Sequence, residues 1–225
     1  MKYLLLSHAI NEDTPLYGDT PGPLIVPHSR ISNGASSNTS IISIHNHTGT
    51  HIDAPKHFID RGRSIFEYSF EELIFKNTVI LDCTIGEAEL LMPENLMQSS
   101  FIPKDVECLL LRTGFEQYRN ENIYVTHNPG ISPETILWLR AHFPRIRCIG
   151  VDTISISSFQ KREIGRQAHK NAFMEQKGLG APLLIIEDMK LSEVTRSIKC
   201  LVVLPLQLEE IDSAPCNVLA IFEDS

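Results

Sequence analysis

The chain has 225 residues, 42% hydrophobic and 21% charged, a globular balance in a length expected to form one domain over residues 1–225. Lysine and arginine number 20 against 28 acidic residues, so the net charge is −8 and neither nucleic acid nor an anionic membrane is a natural partner. The five cysteines (Cys83, Cys108, Cys148, Cys200, Cys216) stand singly with no CxxC pair, which reads as reduced structural thiols in a cytoplasmic protein. At the start, the apolar run Leu4 to Leu6 is too short for a signal-peptide core. No later run approaches the roughly 20 apolar residues that span a bilayer.

Residues 14–38 are rich in Pro, Gly, Ser and Asn and predict an ordered loop region with a short strand at Leu24–Val26. Ser40–His45 alternates polar and apolar residues and predicts a strand leading into a histidine-dense segment. Ser69 and Glu72 form a capping-box pattern ahead of a short helix. Asn77–Cys83 and Val106–Leu111 read as buried strands, and a polar loop follows Arg112-Thr113-Gly114 to about Gly130. Ser132 as N-cap with Pro133 in the first turn opens a helix through about His142. Cys148–Val151 predicts a buried strand and Phe159–Met174 a helix, interrupted by Gly178 and Gly180 before a strand at Pro182–Glu187. Lys199–Leu206 and Val218–Phe222 close the chain as strands. Loosely alternating strands and helices give an α/β class with a mixed β-sheet.

The chemistry lies in His45-Asn46-His47-Thr48-Gly49-Thr50-His51-Ile52-Asp53-Ala54-Pro55-Lys56-His57-Phe58. Imidazole and carboxylate are the ligands that Zn²⁺ and Mn²⁺ accept. His47 and His51 have the spacing of a helical HExxH site, but Thr48-Gly49-Thr50 forms helix poorly and the glutamate is missing. In an extended segment His51 and Asp53 point to one side, Gly49 has the backbone freedom to swing His47 round, and Pro55 stiffens the turn presenting His57. His45, on the opposite side of a strand, reads as an ordinary surface residue. By pattern alone, a metal centre and a chance cluster of loop histidines are equally good readings.

The string HTGTHIDAPKHF resembles the HxGTHxDxPxH signature of the cyclase-like metal-dependent hydrolases, which include bacterial kynurenine formamidase and isatin hydrolase. His57-Phe58 followed by Gly62, Leu111-Arg112-Thr113-Gly114, Pro129-Gly130-Ile131-Ser132 and Gly150-Val151-Asp152-Thr153 are similar to further blocks of that family, and the resemblance extends from Thr14 to Ile221. It implies a swivelling β/β/α domain and a homo-oligomer, a dimer or a tetramer built from dimers. It also implies His47, His51 and Asp53 as ligands of one metal and His57 as the acid–base residue. Asp53 would bridge to a second metal held by His169 and Glu187, with Zn²⁺ at one or two per chain and Mn²⁺ also accepted. The chain departs from the family in a longer His169–Glu187 interval, in the missing proline before Gly18-Asp19, and in Asn217, where many relatives have arginine.

The implied activity is hydrolysis of a C–N amide bond in a small molecule by metal-activated water, foremost an arylformamidase of the N-formylkynurenine type. A cyclic amide of the isatin type, a metal-dependent cyclase or lyase, and a non-catalytic metal-binding scaffold are the alternatives. No GxSxG elbow offers a serine nucleophile. Tyr17, Phe66 and Tyr68 are read either as walls of an apolar pocket for an aryl substrate or as plain core residues.

Overall fold

A computed structural model describes residues 1–99 and 101–223. Its strands, in chain order, begin with β1 (Lys2–Leu5), β2 (Leu24–Ser29), β3 (Thr39–Ser43), β4 (His51–Asp53), β5 (Ile74–Phe75), β6 (Thr78–Asp82) and β7 (Leu90–Leu91). They continue with β8 (Cys108–Arg112), β9 (Gly130–Ile131), β10 (Cys148–Val151), β11 (Leu184–Glu187), β12 (Cys200–Pro205) and β13 (Ser213–Phe222). The α-helices are α1 (Pro93–Ser99), α2 (Ile123–Thr126), α3 (Pro133–His142) and α4 (Arg162–Phe173).

One large mixed sheet runs in the order β5-β12-β13-β4-β11-β10-β8-β6, with β1 paired to the C-terminal end of β13. Its β11-β10-β8-β6 half is parallel and the remainder antiparallel. Strand β4 sits at the junction, pairing with β11 on one side and β13 on the other. The parallel strands are apolar on both faces because both are covered. Leu109, Leu111, Ile149 and Ile185 face a core roofed by α3 and α4, while Cys108, Leu110, Cys148, Leu184 and Ile186 alternate into a second core with Ile52, Leu191 and Val218. This is the mixed α/β class that the sequence predicts.

Several elements follow local signals. Ser132 accepts a hydrogen bond from the Thr135 N–H at 3.1 Å and Pro133 opens α3. The Ser69–Glu72 capping box is present and caps a single 3₁₀ turn, Phe70–Leu73. The segment read as a helix from Phe159 begins as a 3₁₀ turn, Phe159–Lys161, before α4.

Other elements differ from the sequence reading. The stretch after Gly114 is not a plain loop: it holds a 3₁₀ turn at Phe115–Tyr118 and α2, pinned by the buried aromatics Phe115 and Tyr124. Strand β13 begins at Ser213 rather than Val218. Pro215 argues against a strand interior, but it falls where β13 changes neighbour from β4 to β1. Strand β1 and helix α1 were not anticipated. None of the five cysteines is in a disulfide, and four of them are buried and Cys200 partly so. No helix among the described residues is long and apolar enough to cross a membrane.

Candidate metal centre

Backbone geometry around β4 gathers the site. Gly49 takes φ +64°, in the left-handed region that glycine adopts without strain, and there the chain turns into β4. His51 and Asp53 then point to the same side, while Ile52 between them is buried in the opposite core. Pairing of β4 with β11 sets Glu187 directly beside His51. The Pro55–His57 turn that follows is held by Gly62: a Cβ there would stand 2.5 Å from the Pro55 carbonyl carbon, so only glycine permits this approach.

Six side chains named from the sequence converge. His47 Nδ1 lies 3.1 Å from Asp53 Oδ1, and His51 Nε2 lies 3.5 Å from the same oxygen and 3.4 Å from Glu187 Oε2. From α4, His169 Nε2 comes within 3.4 Å of Glu187 Oε1 and 3.9 Å of Asp53 Oδ2. The His57 ring is 4.2 Å from that of His47 and 5.9 Å from that of His169, centroid to centroid. Despite the long interval between them, His169 and Glu187 therefore meet. The chain returns from α4 to β11 through a Leu183 N–H bond to the Ala172 carbonyl at 2.9 Å.

Hydrogen bonds on the outer side fix how these groups face inward. His51 Nδ1 donates to the Gly49 carbonyl at 2.8 Å, and His169 Nδ1 to the Gly165 carbonyl at 2.9 Å. Each neutral ring in that tautomer turns an Nε2 lone pair toward the carboxylates. Glu187 Oε1 accepts from the Ser155 hydroxyl at 3.0 Å and the Ile156 N–H at 2.7 Å. By contrast His51 Nε2 and both oxygens of Asp53 are buried without a partner in hydrogen-bonding geometry. Orphaned buried acceptors of this kind are costly, and three of them gathered in one cluster are what bound cations would satisfy. His47, His51 and Asp53 each offer a ligand atom within 4.8 Å of the others, as do Asp53, His57 and His169. The donor set of imidazoles and carboxylates fits a borderline divalent ion.

The electrostatics agree. Burial opposes charge on His47, but Asp53 and Asp212 outweigh it and raise its pKa to about 10. Burial likewise opposes charge on His51 and His169, yet Asp53 and Glu187 raise both. Burial would push Glu187 up, but His169 and His51 hold it at about 2; Asp53 is drawn well below the carboxylate range by His47 and His51. Two buried carboxylates thus demand positive charge, from protons on the imidazoles or from a cation.

Sequence reading missed Asp212. It lies in the turn before β13, where its Oδ2 accepts from His57 Nδ1 at 2.7 Å and contacts His47 Nε2 at 3.0 Å, while Oδ1 accepts from Asn46 Nδ2 at 2.8 Å. A lone aspartate far along the chain carries no local motif, so only the fold reveals it.

The cluster opens into a cavity of about 280 Å³ lined also by Tyr17, Phe58, His45, Arg162 and Arg166. His45 thus reaches the cavity, although its place on the strand implied no role. Of the three aromatics expected to line one pocket, Tyr17 alone does so. Phe66 is 43% exposed on a 3₁₀ turn, and Tyr68 lines a separate cavity, its ring under the Arg63 guanidinium at 3.8 Å. Asn217 is exposed on β13 and does not line the cavity either.

Comparison with known proteins gives a consistent picture. The Cyclase family model, described as "Putative cyclase", matches residues 4–158. The chain is 31% identical over 229 aligned positions to a kynurenine formamidase of Bacillus anthracis, covering 97% of this chain and 96% of that one. It is 27% identical to cyclase-like protein 2 of Oryza sativa subsp. japonica, covering 98% and 79% of the two chains. Among solved structures, isatin hydrolase A from Labrenzia aggregata, bound to benzyl benzoate, superposes with a TM-score of 0.81 at 24% identity, over 97% of this chain and 93% of that one.

Proposed function

Because the chain belongs to the cyclase family, we propose that the whole chain is one metal-dependent amidohydrolase domain and that its substrates are aryl formamides of the N-formylkynurenine type. The observation that carries this reading is the set of orphaned acceptors on His51 and Asp53, buried at the base of a cavity in a chain with a full-length formamidase relative.

In this reading His47, His51 and Asp53 would hold one divalent ion, and Asp53, His169 and Glu187 would hold a second. Zn²⁺ is the leading candidate and Mn²⁺ the other, since such ligand sets accept either. A divalent ion bound there supplies an acidified water and polarises a carbonyl oxygen.

The chain's own residues do the rest. His57 is the acid–base group: it takes a proton from the attacking water and gives it to the departing amine nitrogen. Asp212 accepts the Nδ1 proton of His57 and so keeps the tautomer in which Nε2 is the base. The new bond joins the water oxygen to the formyl carbon, the C–N bond breaks, and formate and an arylamine leave. Ser155 and the Ile156 N–H keep Glu187 from rotating out of the cluster. Phe58, its ring 4.6 Å from that of His57, walls the base from solvent on one side.

We further propose that the protein works in the cytoplasm as a homodimer or a tetramer of dimers. The test of the activity is hydrolysis of N-formylkynurenine by protein supplied with Zn²⁺ or Mn²⁺, with isatin as the competing cyclic amide. Formate release from the formamide at a kcat/KM well above that for isatin is expected. Isatin opening without formamide hydrolysis would overturn the arylformamidase assignment.

A further inference from the structure

Strand β11 ends at Glu187, and the next residue, Asp188, takes φ +53°, in the left-handed region that a non-glycine residue enters at a cost. Its backbone is tied on both sides: the Asp188 N–H donates to the Thr153 carbonyl at 2.8 Å, and the Asp188 carbonyl accepts from the Thr50 hydroxyl at 2.5 Å. Thr50 stands between Gly49 and His51, so this bond joins the segment carrying His51 to the residue after Glu187. The Asp188 carboxylate accepts from Arg119 Nε at 2.8 Å and Nη2 at 2.7 Å, and from the Tyr124 hydroxyl at 2.7 Å. Asp188 and Tyr124 are buried, and the Arg119 side chain is nearly so. Neither Arg119 nor Tyr124 lines the histidine cavity, and the catalytic steps use neither.

A buried ion pair is a poor source of stability, because desolvating the two charges offsets their attraction; its best-attested use is to select one conformation over others. Here the conformation selected is a costly backbone turn directly beside a carboxylate of the cluster. Two parallel bonds from one guanidinium fix the orientation of the Asp188 carboxylate, and the Tyr124 hydroxyl adds a third constraint. We propose that Arg119 and Tyr124 are positioning residues of the metal centre: by clamping the Asp188 carboxylate they hold the left-handed turn that aims Glu187 at His51 and His169. The inference rests on the metal-centre reading and extends it to a stretch outside the cavity, from Arg119 into α2. With the clamp released, Asp188 would relax out of the left-handed region. The Glu187 carboxylate would then leave its 3.4 Å approaches to His51 and His169, and Thr50 would lose the carbonyl that anchors it.

The experiment measures Zn²⁺ affinity and stoichiometry by competition with a chromophoric chelator, the visible spectrum of the Co²⁺-loaded protein, and the Tm of the metal-free protein. The proteins are the wild type, Arg119→Gln, Arg119→Lys, Tyr124→Phe and Leu201→Ala. Leu201 is buried in β12, two strands from β4, and its truncation is a packing change away from the clamp. Arg119→Gln is expected to weaken Zn²⁺ binding about 10- to 100-fold, the range for losing an outer partner of a ligand, and to shift the Co²⁺ bands. Arg119→Lys should recover part of the affinity. Tyr124→Phe, which keeps the ring and removes one hydroxyl, should lose about tenfold. Leu201→Ala should lower Tm and leave Zn²⁺ affinity and the Co²⁺ spectrum unchanged. Wild-type affinity and spectrum in Arg119→Gln and Tyr124→Phe, with only Tm lowered, would overturn the clamp. If Arg119→Gln does not fold, Tyr124→Phe alone decides by the same comparison. A wild type that binds neither ion overturns the metal-centre reading itself, whereas a wild type that binds them no better than its clamp variants discards the clamp alone.

Discussion

Asp212 accepts the Nδ1 proton of His57 at 2.7 Å across 155 positions of sequence, and the same oxygen contacts His47 at 3.0 Å. One carboxylate therefore holds both His57, the proposed acid–base group, and His47, a proposed metal ligand. Asp212→Asn is expected to lower kcat by about 10- to 100-fold, the usual cost of removing such a supporting carboxylate. Steady-state kinetics beside metal analysis checks this; unchanged kcat would leave Asp212 without a role in orienting His57.

In the proposed roles, His57 and His51 separate chemistry from metal retention. His57→Ala should keep its metal and lose about 10²- to 10⁴-fold in kcat, the range for an acid–base group. His51→Ala should lose metal and activity together, because its Nε2 faces both Asp53 and Glu187. Equal metal loss in the two variants would make His57 a ligand rather than the base.

The metal-free protein should respond to pH in a defined direction. His47 is raised from 6.5 to about 10 in the folded chain, so its contribution is complete below pH 6.5 and disappears as pH rises toward 10. Glu187 is lowered from 4.5 to about 2, so its contribution is complete above pH 4.5 and disappears as pH falls toward 2. Thermal melts with chelator present should therefore show a maximum between about pH 4.5 and 6.5 and a falling Tm on the alkaline side. Saturating Zn²⁺ should flatten the alkaline limb, since the ion replaces the protons. An alkaline limb equally steep with and without Zn²⁺ would speak against a shared site.

How far the sequence reached follows from the range of each signal. His51, Asp53 and Gly49 act within a few residues, and the alternation of strand side chains with glycine's freedom made their geometry legible. His169 and Glu187 came from the resemblance, and the structure brings them to the cluster although α4 and the return to β11 lie between. Asp212 and Arg162 were not legible as members of the site, because they reach it only through the pairing of β13 with β4 and the packing of α4 beside the Pro55–His57 turn. Phe66 and Tyr68 are near the histidines in sequence, but Phe66 is exposed and Tyr68 lines a separate cavity, a placement that no local pattern signals. The Pro215 strand was concealed by a residue that is safe there only because the neighbouring strand changes.

Gly62 is expected to be intolerant of any side chain. A Cβ would meet the Pro55 carbonyl carbon at 2.5 Å and the Lys56 nitrogen at 2.7 Å, both backbone atoms that move only with the turn itself. Gly62→Ala should destabilise by about 1–3 kcal/mol, the range for overpacking, and displace His57 enough to lower kcat. Denaturant melts and kinetics together check it; a neutral Gly62→Ala would mean that the turn is not held by this approach.

The central claim is that the buried imidazoles and carboxylates around β4 hold a metal ion. Elemental analysis of untagged protein purified without chelator tests it most directly. About one or two equivalents of Zn or Mn per chain are expected, with a value near two when both the Asp53–His47–His51 and the Asp53–His169–Glu187 groups are filled. Absence of metal, persisting after incubation with Zn²⁺ and Mn²⁺, would contradict the account.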